Sequence, residues 1–215
     1  MWIKVCGLTT PEAVQAALDA RVDAIGFVFA ESKRRVTPER AAELAKPARG
    51  RVRCVAVTKH PTQSEVDEIL SVFKPDIFQT DWRDLQALRL PSELTLLPVL
   101  RTAGGEPTPL PARVLLEGPV SGTGVPTDWP SARAMARRTE VILAGGLSPA
   151  NVATAIAEVN PFGVDVSSGV ESSPGIKSPE KIASFVSAVR AATSAVAAAS
   201  SRSQSAPSRA KENPS

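Results

Sequence analysis

A chain of 215 residues, 43% of them hydrophobic, is long enough to bury one sizeable core, and its even composition indicates a single domain. The sequence has no apolar run near the ~20 residues that cross a bilayer and no signal-peptide pattern, so we expect a cytoplasmic protein without a membrane partner. The net charge of +3 comes from scattered basic residues, and with 4% aromatic residues the composition argues against nucleic acid as a partner.

Strand and helix patterns alternate from the start of the chain, which is typical of parallel strands joined by helices. Eight segments are predicted as strands: residues 2–5, 24–29, 52–57, 77–79, 95–100, 114–116, 141–143 and 164–166. A closed barrel of this kind requires eight strands. We therefore predict an α/β fold, a (β/α)8 TIM barrel formed by residues 1–192.

Helices are predicted between most of these strands: residues 11–20, 38–45, 64–73, 81 or 82 to 90, 131–138, 149–159 and 179–192. The segment RTAGGEPTPLPAR after the fifth strand is rich in glycine and proline, so we expect a barrel slightly abbreviated around its fifth helix. Residues 193–215 are rich in alanine, serine and proline without an apolar stripe, and we predict that they form a disordered tail.

Two glycine-bearing segments, VILAGGLSPANV and VDVSSGVESSPGIK, lie one strand–helix unit apart near the end of the predicted barrel. Backbone N–H groups in such loops attract anions, and in (β/α)8 barrels a phosphate site often follows strands seven and eight. The residues predicted to bind phosphate are Gly145, Gly146, Ser167, Ser168 and Gly169. An ordinary turn is the alternative for each glycine taken alone.

Cys6 ends the first predicted strand, whereas Cys54 lies within the third and is predicted as core. A cysteine in an apolar strand is usually inert, but the C-terminal end of a barrel strand faces the mouth, where active sites lie. A thiolate there could accept a proton if the cations of Lys4 or Arg34 face it. A structural disulfide is not expected, and the single histidine, His60, excludes most histidine-based zinc sites.

Three charged residues lie near the ends of other predicted strands. Glu117 ends strand six in VLLEG, where a solvated carboxylate is the alternative to a functional acid. Arg34 follows strand two in ESKRRV, within a charge run of the kind that is usually solvated. Asp165 interrupts an apolar strand, where a buried carboxylate is costly unless it is functional or forms a structural polar link.

The order of the blocks KVCGLTTPEAV, GFVFAESKRRVTPERA, VAVT, LLE, SGTGVPTDW, LAGGLSPANV and VDVSSGVESSPGIKSPEKI resembles the phosphoribosylanthranilate isomerase family of tryptophan biosynthesis. The resemblance covers residues from about Ile3 to about Arg190. It implies an intramolecular oxidoreductase, an aldose–ketose isomerase that performs an Amadori rearrangement of N-(5-phosphoribosyl)anthranilate to 1-(2-carboxyphenylamino)-1-deoxyribulose 5-phosphate. That chemistry needs neither a metal nor a redox cofactor, so we expect none.

The resemblance also implies roles for four residues of this chain. Cys6 matches the general base of the family, and Glu117 stands where the family usually has an aspartate that protonates the ribose ring oxygen. Arg34 matches the arginine that binds the anthranilate carboxylate, a contact for which a planar guanidinium suits better than lysine. Asp165 matches an aspartate near the substrate.

The chain departs from the family pattern at two places. Glutamate at position 117 lengthens the acid by one methylene, about 1.5 Å. After strand four the family typically has Gln-Leu-His-Gly, whereas this chain has Gln79, Thr80, Asp81 and Trp82, so the histidine is missing and a tryptophan is expected at the mouth. The SGTG segment, residues 121–124, is expected to close over the substrate as a mobile loop.

Three functions remain open from the sequence, in the order in which we favour them. The first is the anthranilate isomerase, with a small phosphoribosyl substrate as its partner and a monomer or homodimer as its state. The second is a paralogue that isomerises another phosphoribosyl amine, which the missing histidine and Trp82 favour. The third is a non-catalytic barrel that binds a phosphate ligand and has lost its chemistry through Glu117.

Overall fold

Eight parallel strands close into one barrel in the order of the sequence, β1 to β8. The computed structural model describes residues 1–101, 105–118 and 127–204. The strands are β1 Trp2–Cys6, β2 Ala24–Val28, β3 Arg53–Val57, β4 Ile77–Asp81, β5 Thr95–Arg101, β6 Arg113–Glu117, β7 Glu140–Leu143 and β8 Gly163–Val166. Pairing of β1 with β8 completes the circle. The prediction of a (β/α)8 TIM barrel is therefore confirmed.

Six α-helices are present in the described residues: α1 Pro11–Asp19, α2 Pro38–Ala45, α3 Gln63–Val72, α4 Trp129–Ala136, α5 Val152–Val159 and α6 Pro179–Gln204. The side chains of Thr10, Thr37, Thr62 and Asp128 cap the first four. Each cap accepts a hydrogen bond from the backbone N–H three residues later, which satisfies a donor that has no partner within the helix.

The predicted fourth helix, from residue 81 or 82 to 90, is wrong. Strand β4 continues to Asp81, and only a short 3-10 helix, Asp84–Gln86, follows it. The Asp84 carboxylate accepts hydrogen bonds from the Thr80 hydroxyl at 2.8 Å and from the His60 backbone N–H at 2.9 Å, which holds this segment against the barrel. The described residues between β5 and β6 contain no helix, as the glycine and proline there predicted.

Other boundaries also differ from the prediction. Helix α4 begins at Trp129, two residues before the predicted start. Helix α5 begins at Val152, three residues after the predicted start, because the Ser148 N–H donates to the Asn151 side chain in a turn that precedes the helix. A hairpin of β9 Glu171–Ser173 and β10 Ile176–Lys177 lies between β8 and α6 and was not predicted.

The last helix, α6, continues past the predicted end at residue 192 to Gln204. The rest of the predicted tail, residues 205–215, and the SGTG segment lie outside the described residues. The division of the chain at residue 192 therefore stays a prediction. None of the helices in the described ranges is both long enough and apolar enough to cross a membrane.

The barrel interior is filled by a compact apolar cluster separate from the larger core under the helices. Its fully buried members are Ala24, Val55, Ile77, Leu97, Val99, Leu115, Ile142 and Ala144. Successive side chains of a strand point to opposite faces, so the residue two positions after each of these also points into the barrel interior. By this alternation Cys6, Gln79, Asp81, Arg101 and Glu117 face inward at the C-terminal end of the barrel, which we call the mouth.

Phe73 offers a test of the packing between the barrel and its helices. Its side chain is 1% exposed, and its ring lies 5.3 Å from that of Phe27 and 5.5 Å from that of Phe29. Phe73→Ala should lower the free energy of unfolding by about 3–5 kcal/mol, because it removes a buried ring and leaves a cavity. Urea denaturation measures this loss. Val72→Ala, at the neighbouring exposed position, should change stability by less than about 0.5 kcal/mol.

Candidate active site

A lysine without any exposed surface lies at the base of the mouth. Lys4 on β1 is paired in register with Asp165 on β8, and its Nζ atom lies 3.0 Å from Asp165 Oδ1. Cys6 follows two residues later, so its thiol projects from the same face of β1. A Cβ atom at Gly26 would lie 3.1 Å from both Cys6 Sγ and Lys4 Cε, so the absence of a side chain at Gly26 leaves room for these two.

The charges of this group decide the state of the thiol. Burial raises the pKa of Cys6 above its ordinary value, and the Lys4 ammonium acts in the opposite direction. Burial alone would lower the pKa of Lys4, but Asp165 and Cys6 outweigh it, so the pKa of Lys4 is raised and the lysine stays charged. Burial raises the pKa of Asp165, Lys4 counteracts it, and the nearby charge of Glu117 raises it further. The sulfur therefore lies beside a permanent buried cation.

Arg34 lies across the turn that follows Cys6. Gly7 has a φ of +77°, and a Cβ atom there would lie 2.6 Å from Arg34 Cδ. Arg34 Nε donates to Glu171 Oε1 at 2.6 Å, and its Nη2 donates to Glu171 Oε2 at 3.0 Å. The structure thus places Arg34 at the mouth, as predicted, but pairs its guanidinium with a carboxylate of the protein. Its contact with a substrate carboxylate stays a prediction.

The sequence analysis missed Glu171 and Lys177. Lys177 Nζ lies 2.7 Å from Glu171 Oε1 and 3.0 Å from the Ser167 carbonyl oxygen, and its side chain is buried. Burial alone would raise the pKa of Glu171, but hydrogen bonds from Arg34 and Lys177 hold that pKa at about 2. The only signal in the sequence was the charge of both residues inside an otherwise small-residue loop.

The two predicted phosphate loops form one surface. Gly145 and Gly146 have φ values of +88° and +65°, a conformation that favours glycine. A Cβ atom at Gly169 would overlap the Leu147 carbonyl oxygen, so the loops after β7 and β8 are in direct contact. Within the described chain, no backbone hydrogen bond uses the N–H groups of these three glycines or of Ser168.

Ser167 connects this surface to the thiol. Its hydroxyl donates to the Cys6 carbonyl oxygen at 3.1 Å, and its own carbonyl accepts from Lys177. The five residues predicted to bind phosphate therefore lie next to the ends of β7, β8 and β1. Their binding of phosphate stays a prediction, and the geometry that supports it is the contact between the two loops.

Glu117 ends β6 and is part of a charged group on the opposite side of the mouth. Arg101 at the end of β5 is paired in register with Glu117, and its Nη2 lies 3.7 Å from Glu117 Oε2. The other nitrogen of the same guanidinium, Nη1, forms a hydrogen bond with Asp81 Oδ1. Asp81 Oδ2 lies 3.7 Å from His60 Nε2. Sequence reasoning missed Arg101, because nothing in the glycine-rich segment around it indicated a site.

The side chains after strand four divide between the two sides of the barrel wall. Asp81 faces the interior, whereas Trp82 packs against the core under the helices. The structure therefore places Trp82 outside the barrel interior and not at the mouth, where it was expected, because the side chain that follows Asp81 points to the other side of the wall. Gln79 is buried inside, and within the described residues its Oε1 atom accepts no hydrogen bond. A buried acceptor of this kind calls for a donor from a ligand or water.

His60, Asp81 and Asp84 place possible metal-ligand atoms within 4.8 Å of one another. Arg101 already binds Asp81, and Asp84 accepts hydrogen bonds from His60 and from Thr80. These side chains therefore already have partners within the protein. The expectation that the protein needs no metal stays a prediction.

The fold carries an ionisable thiol and a carboxyl group on the ends of different strands, close to loops suited to an anion. This combination is typical of (β/α)8-barrel enzymes that rearrange small anionic substrates by acid–base chemistry.

Comparison with known proteins identifies the family. The family model for N-(5'-phosphoribosyl)anthranilate (PRA) isomerase matches residues 3–188. An N-(5'-phosphoribosyl)anthranilate isomerase from Rhizobium etli (strain CIAT 652) is 40% identical over 209 residues, covering 88% of this chain and 94% of that protein. The chain belongs to the PRA isomerase family, and its activity is an aldose–ketose isomerisation in tryptophan biosynthesis.

Solved structures agree with this assignment. The crystal structure of TrpF from Jonesia denitrificans is 36% identical, with a TM-score of 0.71, and the match covers 90% of this chain and 98% of that one. A phosphoribosyl anthranilate isomerase solved in complex with reduced 1-(o-carboxyphenylamino)-1-deoxyribulose 5-phosphate is 26% identical, also with a TM-score of 0.71. That match covers 89% of this chain and 99% of the solved one.

Glu171→Gln tests the charge balance beside Cys6. The pKa of Glu171 is about 2 in the folded protein against an ordinary value of 4.5, so its charge stabilises the fold fully above about pH 4.5. That contribution is lost as the pH falls toward 2. At about pH 7 the variant should be less stable than the wild type by more than about 1 kcal/mol, because Arg34 and Lys177 lose their shared partner.

Urea denaturation at several pH values measures the difference between the two proteins. The difference should shrink below about pH 4.5, where Glu171 of the unfolded wild-type chain begins to take up a proton while the folded carboxylate stays ionised until the pH approaches 2. Glu158→Gln, at an exposed position of α5, is the matched control and should leave stability unchanged throughout. A difference for Glu171→Gln that does not depend on pH would contradict the role of its charge.

Proposed function

We propose that Glu117 is the general acid and Cys6 the general base in the isomerisation of N-(5-phosphoribosyl)anthranilate to 1-(2-carboxyphenylamino)-1-deoxyribulose 5-phosphate. The observation that carries this proposal is the fully buried Lys4 ammonium beside the Cys6 thiol. A buried cation stabilises a thiolate, which is the form of cysteine able to accept a proton. At Cys54 the nearby cation is the partly exposed Arg49, and burial raises the thiol pKa to about 11.

The reaction needs one proton given and one proton taken. Glu117 donates a proton to the ribose ring oxygen as the bond from that oxygen to C1′ breaks, and the nitrogen lone pair forms the Schiff base. The Cys6 thiolate then takes the proton from C2′, and the C–H electron pair forms the enolamine and neutralises the nitrogen. Tautomerisation then moves the proton of the hydroxyl group on C2′ to carbon C1′ and gives the ketone. Afterwards Cys6 releases its proton and Glu117 regains one from solvent.

The substrate is held at its two ends. The backbone N–H groups of Gly145, Gly146, Ser168 and Gly169, with Ser167, bind the phosphate, and the contact between their loops supports a single binding surface. A related enzyme whose solved structure contains a reduced product analogue supports a phosphoribosyl ligand.

At the other end, Arg34 binds the anthranilate carboxylate from the position in which Glu171 holds it. Asp165 keeps Lys4 charged near the substrate, and Gln79 Oε1 accepts a hydrogen bond from a ribose hydroxyl or the amine. We further propose a cytoplasmic enzyme that acts as a monomer or homodimer and needs neither nucleic acid nor cofactor.

One observation favours a second candidate, a paralogue that isomerises another phosphoribosyl amine. Asp81 faces the mouth where the family typically has a histidine, so the wall around the amine substituent differs in charge. Parallel assays of the anthranilate compound and an aminoimidazole-carboxamide analogue separate the two candidates. Turnover of the anthranilate compound with little turnover of the analogue is the result we expect.

Cys6→Ser should reduce kcat/KM by about 100-fold to 10,000-fold, because a hydroxyl is a far weaker base than a thiolate. Steady-state assays measure this loss. Cys54→Ser is the matched control and should keep the wild-type rate, and full activity of Cys6→Ser would place the base elsewhere.

Glu117→Ala and Glu117→Gln should each lower kcat by about 100-fold or more while the fold is retained, since neither side chain donates a proton at this position. Glu117→Asp should be more active than either of these variants because it keeps the carboxyl group. The measurements are kcat and KM with circular dichroism as the check on folding. If Glu117→Gln is as active as the wild type, another group protonates the ring oxygen.

A further inference from the structure

Two carboxylates at the mouth meet at one guanidinium. Asp81 is the last residue of β4, and Glu117 is the last residue of β6. Arg101 lies between them, bound to Asp81 through Nη1 and 3.7 Å from Glu117 through Nη2. All three are inward residues at the ends of β4, β5 and β6, and their side chains are 12%, 20% and 19% exposed.

Arg101 contacts Asp81 closely and Glu117 at a longer distance, and this difference suits Glu117 as a general acid. A close pair with Glu117 would keep that carboxyl ionised and unable to donate. The structure instead gives the close contact to Asp81 and the long one to Glu117. When Glu117 releases its proton, negative charge develops on its oxygens and the attraction to Arg101 grows. An interaction that is weak before proton transfer and stronger during it lowers the barrier rather than only strengthening binding.

The length of glutamate belongs to the same arrangement. Arg101 and Glu117 are directly opposite in the β5–β6 register, and the Arg101 guanidinium is directed toward Asp81 on the other side. Shortening the acid by one methylene, about 1.5 Å, would draw the carboxyl back toward its own strand and away from Nη2.

We propose that Arg101 is the positioning residue of Glu117 and that Asp81 anchors Arg101 for this task. The proposal rests on the proposed function, because it assumes that Glu117 is the acid. Arg101 acts through Glu117, orienting its carboxyl group and stabilising its ionised form as the proton leaves.

The central test is a double-mutant cycle in the full-length chain. Arg101→Met should lower kcat by about 100-fold with KM little changed, because the acid loses its orientation but the substrate keeps its contacts. In the Glu117→Asp background the same substitution should cost much less, because the shorter acid does not reach Arg101. Arg101→Lys should recover part of kcat, since it keeps the charge without the two-sided fork.

Arg113→Met is the matched control. Arg113 starts β6, at the opposite end of the barrel, and forms a similar cross-strand pair with Glu140, with Nε 2.9 Å from Glu140 Oε2. Loss of that pair should leave kcat unchanged. Urea denaturation of both variants shows whether each is folded under the assay conditions.

The outcomes separate the inference from the function on which it rests. Equal losses of kcat in the Glu117 and Glu117→Asp backgrounds would show that Arg101 has only a structural role, and the inference would be wrong. A wild-type kcat for Arg101→Met while Glu117→Gln is inactive would also overturn it and leave Glu117 as the acid. Full activity of Glu117→Gln would overturn the proposed acid itself. A wild-type kcat for Asp81→Asn would show that Asp81 does not anchor Arg101.

Discussion

The ion pair between Lys4 and Asp165 is the interaction on which the mouth of this barrel depends. Removing a lysine entirely from water is costly, and a carboxylate 3.0 Å from its ammonium group offsets that cost. The pair joins β1 to β8 at the closure of the barrel and fixes a positive charge below Cys6. Gly26 leaves room for both side chains. The closure of the fold and the chemistry of the thiol therefore rest on the same two residues.

Charge is distributed unevenly around the mouth. On the side of β1, β2 and β8, two cations, Arg34 and Lys177, share one carboxylate, Glu171, so this side keeps an excess positive charge next to the phosphate loops. On the side of β4 to β6, two carboxylates, Asp81 and Glu117, lie around the single guanidinium of Arg101. The excess positive charge on the first side supports the proposal that the phosphate binds there. Such an asymmetry is suited to orienting an anionic substrate before any close contact forms.

The sequence was sufficient to predict what depends on local pattern. Short apolar segments predicted all eight strands, and Thr10 and Thr37 before proline predicted two helix starts. The fourth helix failed because Asp84, which has ordinary helix propensity, binds Thr80 and His60 instead. Pairings such as Lys4 with Asp165, 161 residues apart, leave no local pattern. The same holds for Glu171 with Arg34, so the charged partners Glu171, Lys177 and Arg101 were not predicted, although Lys4, Arg34 and Asp165 were.

The orientation of a strand explains why the departures from the family pattern have different consequences. Trp82 is the most conspicuous change in residue size, yet it lies on the outward side of β4 and packs under the helices. Asp81, a smaller change, faces inward and changes the sign of the group that meets Arg101. A carboxylate at position 81 has to be balanced by a cation. That cation is Arg101 on β5, and it also lies beside Glu117 on β6. Under the proposed positioning role of Arg101, Glu117 and Asp81 therefore act through the same guanidinium, so substitutions at the two positions are expected to be coupled.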